Sequence, residues 1–454
     1  MRFLLSVTLV RSVILLLIFL PFAVDAAKQT GKAPVIIIPG LTGSDLYDTR
    51  TGERVWFKLI GLKGEDIRLP ITSTLTRNTD HLETRDILRE VSVVKVLPEI
   101  EIYERLIHAL ATRGGYKEGR WDEPEKDGWQ DTFYVFPYDW RRDNVENARA
   151  LVRKIESLKQ KLGRPNLKFN VLSHSMGGLI ARYAAMYGNS DIPASVSRVP
   201  WAGARHFDKI FLLGTPNGGS VSALNALLNG SSLLGGGLRL PFIRGISKFD
   251  IFTMPSIYQL LPHENTAFVY DERLQPMKID IYDPKTWENY GWSVWSDDAY
   301  KKRFKAEEIP RLRGYFAVVL NRAKRFHSAL NAGAGQPVPV NFILVGGDCK
   351  ETLSGVVLRR DSRRNRWITS FKPESFTNSD RERITPEMLK PILFTMGDNV
   401  VPKSSLSAIQ NGASRTETQP PPANEIFQCE GHTKLVTSPE VQDKLLEILN
   451  PPPA

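Results

Sequence analysis

Continuous apolar runs closed by turn residues alternate along this chain with amphipathic stretches at helical spacing. Val35-Ile36-Ile37-Ile38 stands between Pro34 and Pro39-Gly40, which predicts a strand buried on both faces. Ile102, Leu106 and Leu110 share one face of a helix over about 100–113. A strand over 132–138 runs into the polar loop Asp139-Trp140-Arg141-Arg142. Asp143 with Glu146 predicts a capping box. The helix it opens carries Leu151, Val152, Ile155, Leu158 and Leu162 on one stripe and stops at Gly163. A strand over 167–172 and a helix over 176–187, ended by Gly188, come next. Strands over 209–216, 340–347, 391–398 and 425–429 follow, then a last helix with Leu445, Leu446 and Leu449. Strand, loop, helix and strand in repetition predict the α/β class, a mostly parallel central sheet flanked by helices.

Two regions break the pattern. Residues 45–80 read as irregular yet hold the apolar residues Trp56, Phe57, Leu59, Ile60 and Leu62. Residues 220–335 hold a glycine-rich run, 233–238, and Trp287, Trp292 and Trp295. The division is therefore 1–26 as a leader and 27–219 as the first part of the core, with a lid or membrane-facing insertion at about 45–80. Residues 220–335 form a cap and 336–454 the second part of the core. The glycines permit hinge motion of the cap; the alternative is an ordinary helical subdomain that stays still.

Composition narrows the partners. Apolar residues make up 42% and charged residues 24%, which fits a folded chain with a large core. The net charge is +10, but no clustered basic block with exposed aromatics marks a nucleic-acid surface. The run from Arg359 to Arg366 reads as a solvated hairpin tip, or else as a contact for anionic lipid headgroups. At the N-terminus Arg2 and Arg11 precede an apolar run over 12–20 and small residues suited to cleavage after Ala26. This is the pattern of a secretory signal peptide, so the chain is expected to be exported, with an uncleaved anchor as the alternative. Cys349 and Cys429 cannot make a zinc site by themselves. They either pair as a disulfide, as an exported protein allows, or remain two buried thiols.

The candidate chemistry centres on Ser173-His174-Ser175-Met176-Gly177-Gly178. A serine between a strand and a helix, with small residues two before and two after, describes a nucleophile elbow. The first position is Ser173 rather than the usual glycine, and bulk at Ser173 or Gly177 is expected to force the turn open. The plain alternative is a serine N-cap. A serine nucleophile needs a base and the base needs an acid, in the chain order serine, acid, histidine on such sheets. Of the seven histidines only His432 comes late, in a loop after a strand. Asp398 ends an apolar run and is the preferred acid, with Asp348 as its rival. The oxyanion needs preorganised donors, which are expected from the N–H groups of Met176 and Leu41. For Leu41 the alternative is a plain tight turn. The chemistry calls for no cofactor and no metal.

Six motifs then occur in order. They are Pro39-Gly40-Leu41-Thr42-Gly43-Ser44, Pro137-Tyr138-Asp139-Trp140-Arg141, His174-Ser175-Met176-Gly177-Gly178, Gly214-Thr215-Pro216-Asn217-Gly218-Gly219, the stretch 254–262 from Met254 to Pro262, and Gly397-Asp398-Asn399-Val400-Val401-Pro402. Together they resemble the lecithin:cholesterol acyltransferase family, which includes lysosomal phospholipase A2 and phospholipid:diacylglycerol acyltransferase. The resemblance runs from about 34 to 436. It implies an α/β-hydrolase fold with cap and lid, and a lipid acyl ester as substrate at a membrane or lipid-particle surface. Its nucleophile, acid and base fall on Ser175, Asp398 and His432, and its oxyanion donors on Leu41 and Met176. Asn399 stands where glycine or aspartate is frequent, and the N-terminal lid cysteine pair of some members is absent. The expected activity is serine-dependent lipid acyl hydrolysis or O-acyl transfer. A general carboxylesterase and a catalytically dead binding protein are the alternatives. A membrane-facing patch is expected at Trp56, Phe57, Leu59 and Ile60, unless those residues are core.

Overall fold

The computed structural model describes residues 31–57, 67–91, 100–125, 129–195, 198–230, 245–263, 268–333, 338–361, 364–410, 413–414 and 424–451. The leader, the glycine-rich run, and Leu59, Ile60 and Leu62 lie outside these residues.

Among the described residues, seven strands form the central sheet: β1 (Val35–Ile38), β2 (Lys117–Glu118), β3 (Thr132–Val135), β4 (Phe169–His174), β5 (Phe207–Leu213), β6 (Asn341–Gly347) and β7 (Glu425–Gln428). Their order is β7-β6-β5-β4-β1-β3-β2, and every neighbouring pair is parallel. The parallel α/β sheet read from the apolar runs is what the chain builds.

Strand β1 shows why the run has no polar position. Val35 and Ile37 join one cluster, with Leu106 and Leu110 of α1 (Glu104–Thr112) and Val441 and Leu445 of the C-terminal helix (Pro439–Leu449). Ile36 and Ile38 join the other, with α2 (Asn144–Lys161) and α3 (Met176–Tyr187). Successive side chains point to opposite faces, and helices cover both. Burying each such side chain contributes about 1.5–3 kcal/mol. All twelve residues of α3 are buried, because α2 and the long helix Ile309–Leu330 enclose it against the sheet. Tyr187 and Arg182 each donate to a carbonyl at the end of that long helix, Ala329 and Leu330.

Four expectations change. Asp143 caps α2 by accepting from Val145 N, but Glu146 turns to Arg142 instead of closing a capping box. Residues 391–398 are not a strand of the central sheet. Pro391 lies in a helix, Pro386–Leu393, and Phe394–Gly397 pairs antiparallel with Lys350–Leu353 in a separate two-stranded sheet. An apolar run fixes the propensity for a strand, not the sheet that strand joins. The region 45–80 contributes to a small three-stranded antiparallel sheet, Leu46–Asp48, Arg54–Trp56 and Leu82–Glu83.

The fourth concerns the proposed membrane patch. Trp56 is 1% exposed, donates its indole N–H to the Thr42 carbonyl at 3.0 Å, and packs on Trp140 with ring centroids 5.1 Å apart. Phe57 is half-buried against it. Trp56 is therefore core beneath the loop after β1 and cannot meet a bilayer. Trp56→Ala should cost about 3–5 kcal/mol of stability. Thermal unfolding should show the loss, and activities on vesicles and on a soluble ester should fall together. A loss confined to vesicles would contradict the core placement.

Candidate active site

The strand-to-helix turn at the end of β4 sets the geometry. Ser175 sits between β4 and α3 with φ 53° and ψ −124°. A non-glycine residue in left-handed backbone is strained and is held only by a surrounding structure that fits it. Here Ser175 N donates to the Leu213 carbonyl of β5 at 2.7 Å, and Gly178 N donates back to the Ser175 carbonyl at 3.0 Å. The reason for small neighbours differs from the expectation. Gly177 faces strand β1, not Ser173: a Cβ there would lie 2.5 Å from the Pro39 carbonyl oxygen. A Cβ on Gly178 would lie 1.9 Å from Thr215 Oγ1. Ser173 is accepted in place of glycine because its hydroxyl, fully buried, donates to the Phe211 carbonyl at 2.6 Å.

The structure brings Ser175, His432 and Asp398 together. His432 Nε2 is 2.9 Å from Ser175 Oγ, and His432 Nδ1 is 2.7 Å from Asp398 Oδ2. The other carboxylate oxygen of Asp398 accepts from Val400 N at 3.0 Å and Val401 N at 2.7 Å. With Oδ1 filled by amides, Oδ2 is committed to the imidazole. Burial pushes the Asp398 carboxyl up, but the His432 charge and hydrogen bond with the Val401 and Val400 amides hold it below its ordinary value. The Asp398 carbonyl also accepts from His432 N at 2.7 Å, so the Asp398 and His432 loops are joined twice. Asp348, the rival acid, is elsewhere, 3.5 Å from Lys403 Nζ at the surface.

The turn after Asp398 explains Asn399, which has φ 80° and donates its N–H to Thr352 Oγ1 at 2.8 Å. Asparagine tolerates that backbone better than most side chains do. Gly214, which opens the fourth of the six motifs, also borders the site, a placement the motif alone does not give. It has φ 59°, and a Cβ there would lie 2.9 Å from Asp398 Oδ2 and 3.0 Å from His432 Cε1. The sequence signal was present as a glycine directly after an apolar strand.

The loop after β1 approaches the serine from the other side. A Cβ on Gly40 would lie 2.9 Å from Ser175 Cβ, so bare backbone reaches the flank of Ser175 and leads into Leu41. Met176 begins α3 beside Ser175, where backbone N–H groups have no intrahelical partner. The motif 137–141 builds the floor of this loop. Tyr138 Oη donates to the Pro39 carbonyl at 2.9 Å, and Trp140 Nε1 to the Ser44 carbonyl at 3.1 Å. Arg141, fully buried, is held by Asp139 and Asp80. Ser256 Oγ then donates to the Trp140 carbonyl at 2.6 Å, which ties the 254–262 motif to the same floor.

Cys349 and Cys429 form a disulfide between the ends of β6 and β7, with Cα atoms 5.1 Å apart. Their separation is 80 residues. Chain entropy gives such a loop roughly 4–5 kcal/mol of stabilisation at most. Cys429 leads directly into the His432 loop, so Cys349→Ser should lower both the melting temperature and kcat. Unfolding and turnover measured with and without reductant check this. A variant unchanged in both would contradict it.

A parallel sheet with a serine at the strand–helix elbow, followed in the chain by an acid and a late histidine, defines the α/β-hydrolase fold. The chain is similar to the lecithin:cholesterol acyltransferase family over part of its length: that family's model, "Lecithin:cholesterol acyltransferase", matches residues 124–298. "Lecithin-cholesterol acyltransferase-like 4" of Arabidopsis thaliana is 25% identical over 253 residues, 50% of this chain and 42% of the relative. "Phospholipase A(1) LCAT3" of Arabidopsis thaliana is 24% identical over 263 residues, 52% of this chain and 51% of the relative. The matches thus span about half or less of these relatives. Among solved structures, a chain of the Tle4–Tli4 complex superposes with a TM-score of 0.55 at 15% identity, covering 92% of this chain and 98% of that one. That likeness is one of fold.

Proposed function

We propose that this protein is a serine-dependent lipid acyl hydrolase or O-acyltransferase. The observation that carries the reading is the continuous hydrogen-bonded array Ser175 Oγ, His432 Nε2, His432 Nδ1 and Asp398 Oδ2, at 2.9 and 2.7 Å. In this reading Ser175 Oγ attacks the acyl carbonyl carbon while His432 Nε2 takes its proton. Asp398 stays ionised, holds Nδ1–H and stabilises the imidazolium. The N–H groups of Met176 and Leu41 receive the oxyanion. Collapse breaks the ester bond, the leaving alcohol takes the proton from His432, and an acyl-enzyme on Ser175 remains. Water or a lipid alcohol, deprotonated by His432, then removes the acyl group.

Lipid as the acyl donor is supported by the related family and by the relative that is named a phospholipase. Export through residues 1–26 is part of the proposal and is supported by the disulfide, which suits an oxidising compartment. Among the described residues no helix is long and apolar enough to cross a membrane. The full-length chain, presented with mixed phospholipid vesicles with and without a sterol or diacylglycerol, should release free fatty acid or form new ester. Turnover of short soluble esters alone would point instead to a general carboxylesterase. Absence of any acyl turnover would point to a binding protein.

A further inference from the structure

The residue before the nucleophile, His174, is buried and lies outside the array described above. Its Nδ1 is 2.9 Å from Tyr103 Oη, and its Nε2 is 3.1 Å from the His432 carbonyl oxygen. Tyr103 Oη also receives the Gly40 N–H at 2.8 Å. Donor and acceptor roles in this chain admit one solution. Gly40 N–H can only donate, so Tyr103 accepts there, and the single hydrogen of Tyr103 has no acceptor in this chain other than His174 Nδ1. The ring proton is then on Nε2, and it points at the His432 carbonyl, which can only accept. Every member of the chain is satisfied only with His174 neutral and in the Nε2–H form. Burial, then the neighbouring His432, hold the His174 pKa down at about 3, which agrees with that state. Burial likewise pushes the Tyr103 hydroxyl well above its usual pKa, so it keeps the proton it donates.

Gly40 directly precedes Leu41, the proposed oxyanion donor, and the His432 carbonyl belongs to the proposed base. The chain of hydrogen bonds therefore crosses beneath Ser175 from one loop to the other. We propose that Tyr103 and His174 are positioning residues whose hydrogen bonds hold the Gly40–Leu41 loop and the His432 loop at a fixed spacing on either side of Ser175. This rests on the serine mechanism proposed above. Neither residue touches the reacting atoms. Their effect comes from the position of groups that do, where a displacement near 1 Å costs about 100-fold in rate.

Three variants separate the two arms. Tyr103→Phe removes one oxygen and leaves Gly40 N–H and His174 Nδ1 without it. His174→Gln keeps an amide N–H near the former Nε2 but loses the acceptor for Tyr103. His174→Asn keeps an acceptor near the former Nδ1 but loses the donor to His432. The measurement is kcat and KM per active serine, counted by stoichiometric phosphonate labelling, together with the pH profile of kcat/KM and the melting temperature. The expected result is a fall in kcat per labelled site of about 10- to 100-fold for each variant with KM unchanged. The acid limb of the profile should move only in His174→Asn, where the base loop is released. Variants that lose melting temperature but keep wild-type kcat per labelled site and a wild-type profile would overturn the proposal. If Tyr103→Phe does not fold, the two His174 variants decide by the same criteria. Wild-type protein that turns over lipid ester without being labelled at Ser175 would instead refute the serine mechanism itself.

Discussion

Ser175→Ala should lower kcat on lipid ester by about 10⁶-fold while the protein stays folded. The size follows from the role. Alanine has no oxygen at the position 2.9 Å from His432 Nε2, so no acyl-enzyme can form. What survives is background turnover from the remaining polar groups. The fold should tolerate the change because the elbow's backbone hydrogen bonds, from Ser175 N and to its carbonyl, do not involve the side chain. Alanine at φ 53° is strained, as serine is. Circular dichroism and the melting temperature should therefore remain near wild type. A folded variant with activity within tenfold of wild type would remove Ser175 from the mechanism.

Asp398→Asn should lower kcat by about 10⁴-fold, and the hydrogen bonds say why. Val400 N–H and Val401 N–H both need an acceptor, so the asparagine carbonyl oxygen must take the Oδ1 position. Its NH₂ then faces His432 Nδ1. A donor there makes Nδ1 the acceptor and places the ring proton on Nε2, facing Ser175. In that tautomer His432 cannot take the serine proton. The geometry would be kept and the chemistry lost. The substitution also changes stability with pH. The Asp398 pKa is lowered on folding, so its charge stabilises the fold above the unfolded value, about 3.9. That contribution is lost as pH falls through the lower folded value. Unfolding followed between pH 7 and pH 2 should show a shallower acid loss in Asp398→Asn than in wild type. Equal acid slopes, or full activity in the variant, would contradict the assigned role.

Much of the site is legible in the sequence because the constraints on it are local. The elbow needs a buried strand, a tight turn and a helix at fixed spacing. Phe169–His174, Ser175 and Met176–Tyr187 supply them within twenty residues. His432 was reached by elimination, since no other histidine follows the late strands. Asp398 follows an apolar run that does not join the central sheet. What fixes the residue beside His432 is its own loop, through the Val400 and Val401 amides and the His432 N–H, and not a layer of the central sheet. Other features are illegible because they depend on contacts between distant segments. Trp56 looks like a membrane anchor in an apolar run within an irregular stretch, and only its meeting with Thr42 and Trp140 makes it core. Tyr103 sits at the start of an ordinary amphipathic helix, and nothing nearby in the chain reveals that its hydroxyl lies beside Gly40 and His174. Arg141 shows the same limit, since its buried charge is balanced by Asp80, which is far away in sequence.

The measurement that tests the account most directly is acid-quenched trapping of the acyl-enzyme during turnover of a phospholipid with a labelled acyl chain, followed by peptide mass analysis. The expected result is one acyl group per chain, in ester linkage on Ser175, that disappears when a lipid alcohol or longer incubation clears it and is absent from Ser175→Ala. Label found on another residue, or turnover with no covalent intermediate on a rapidly quenched time course, would contradict it.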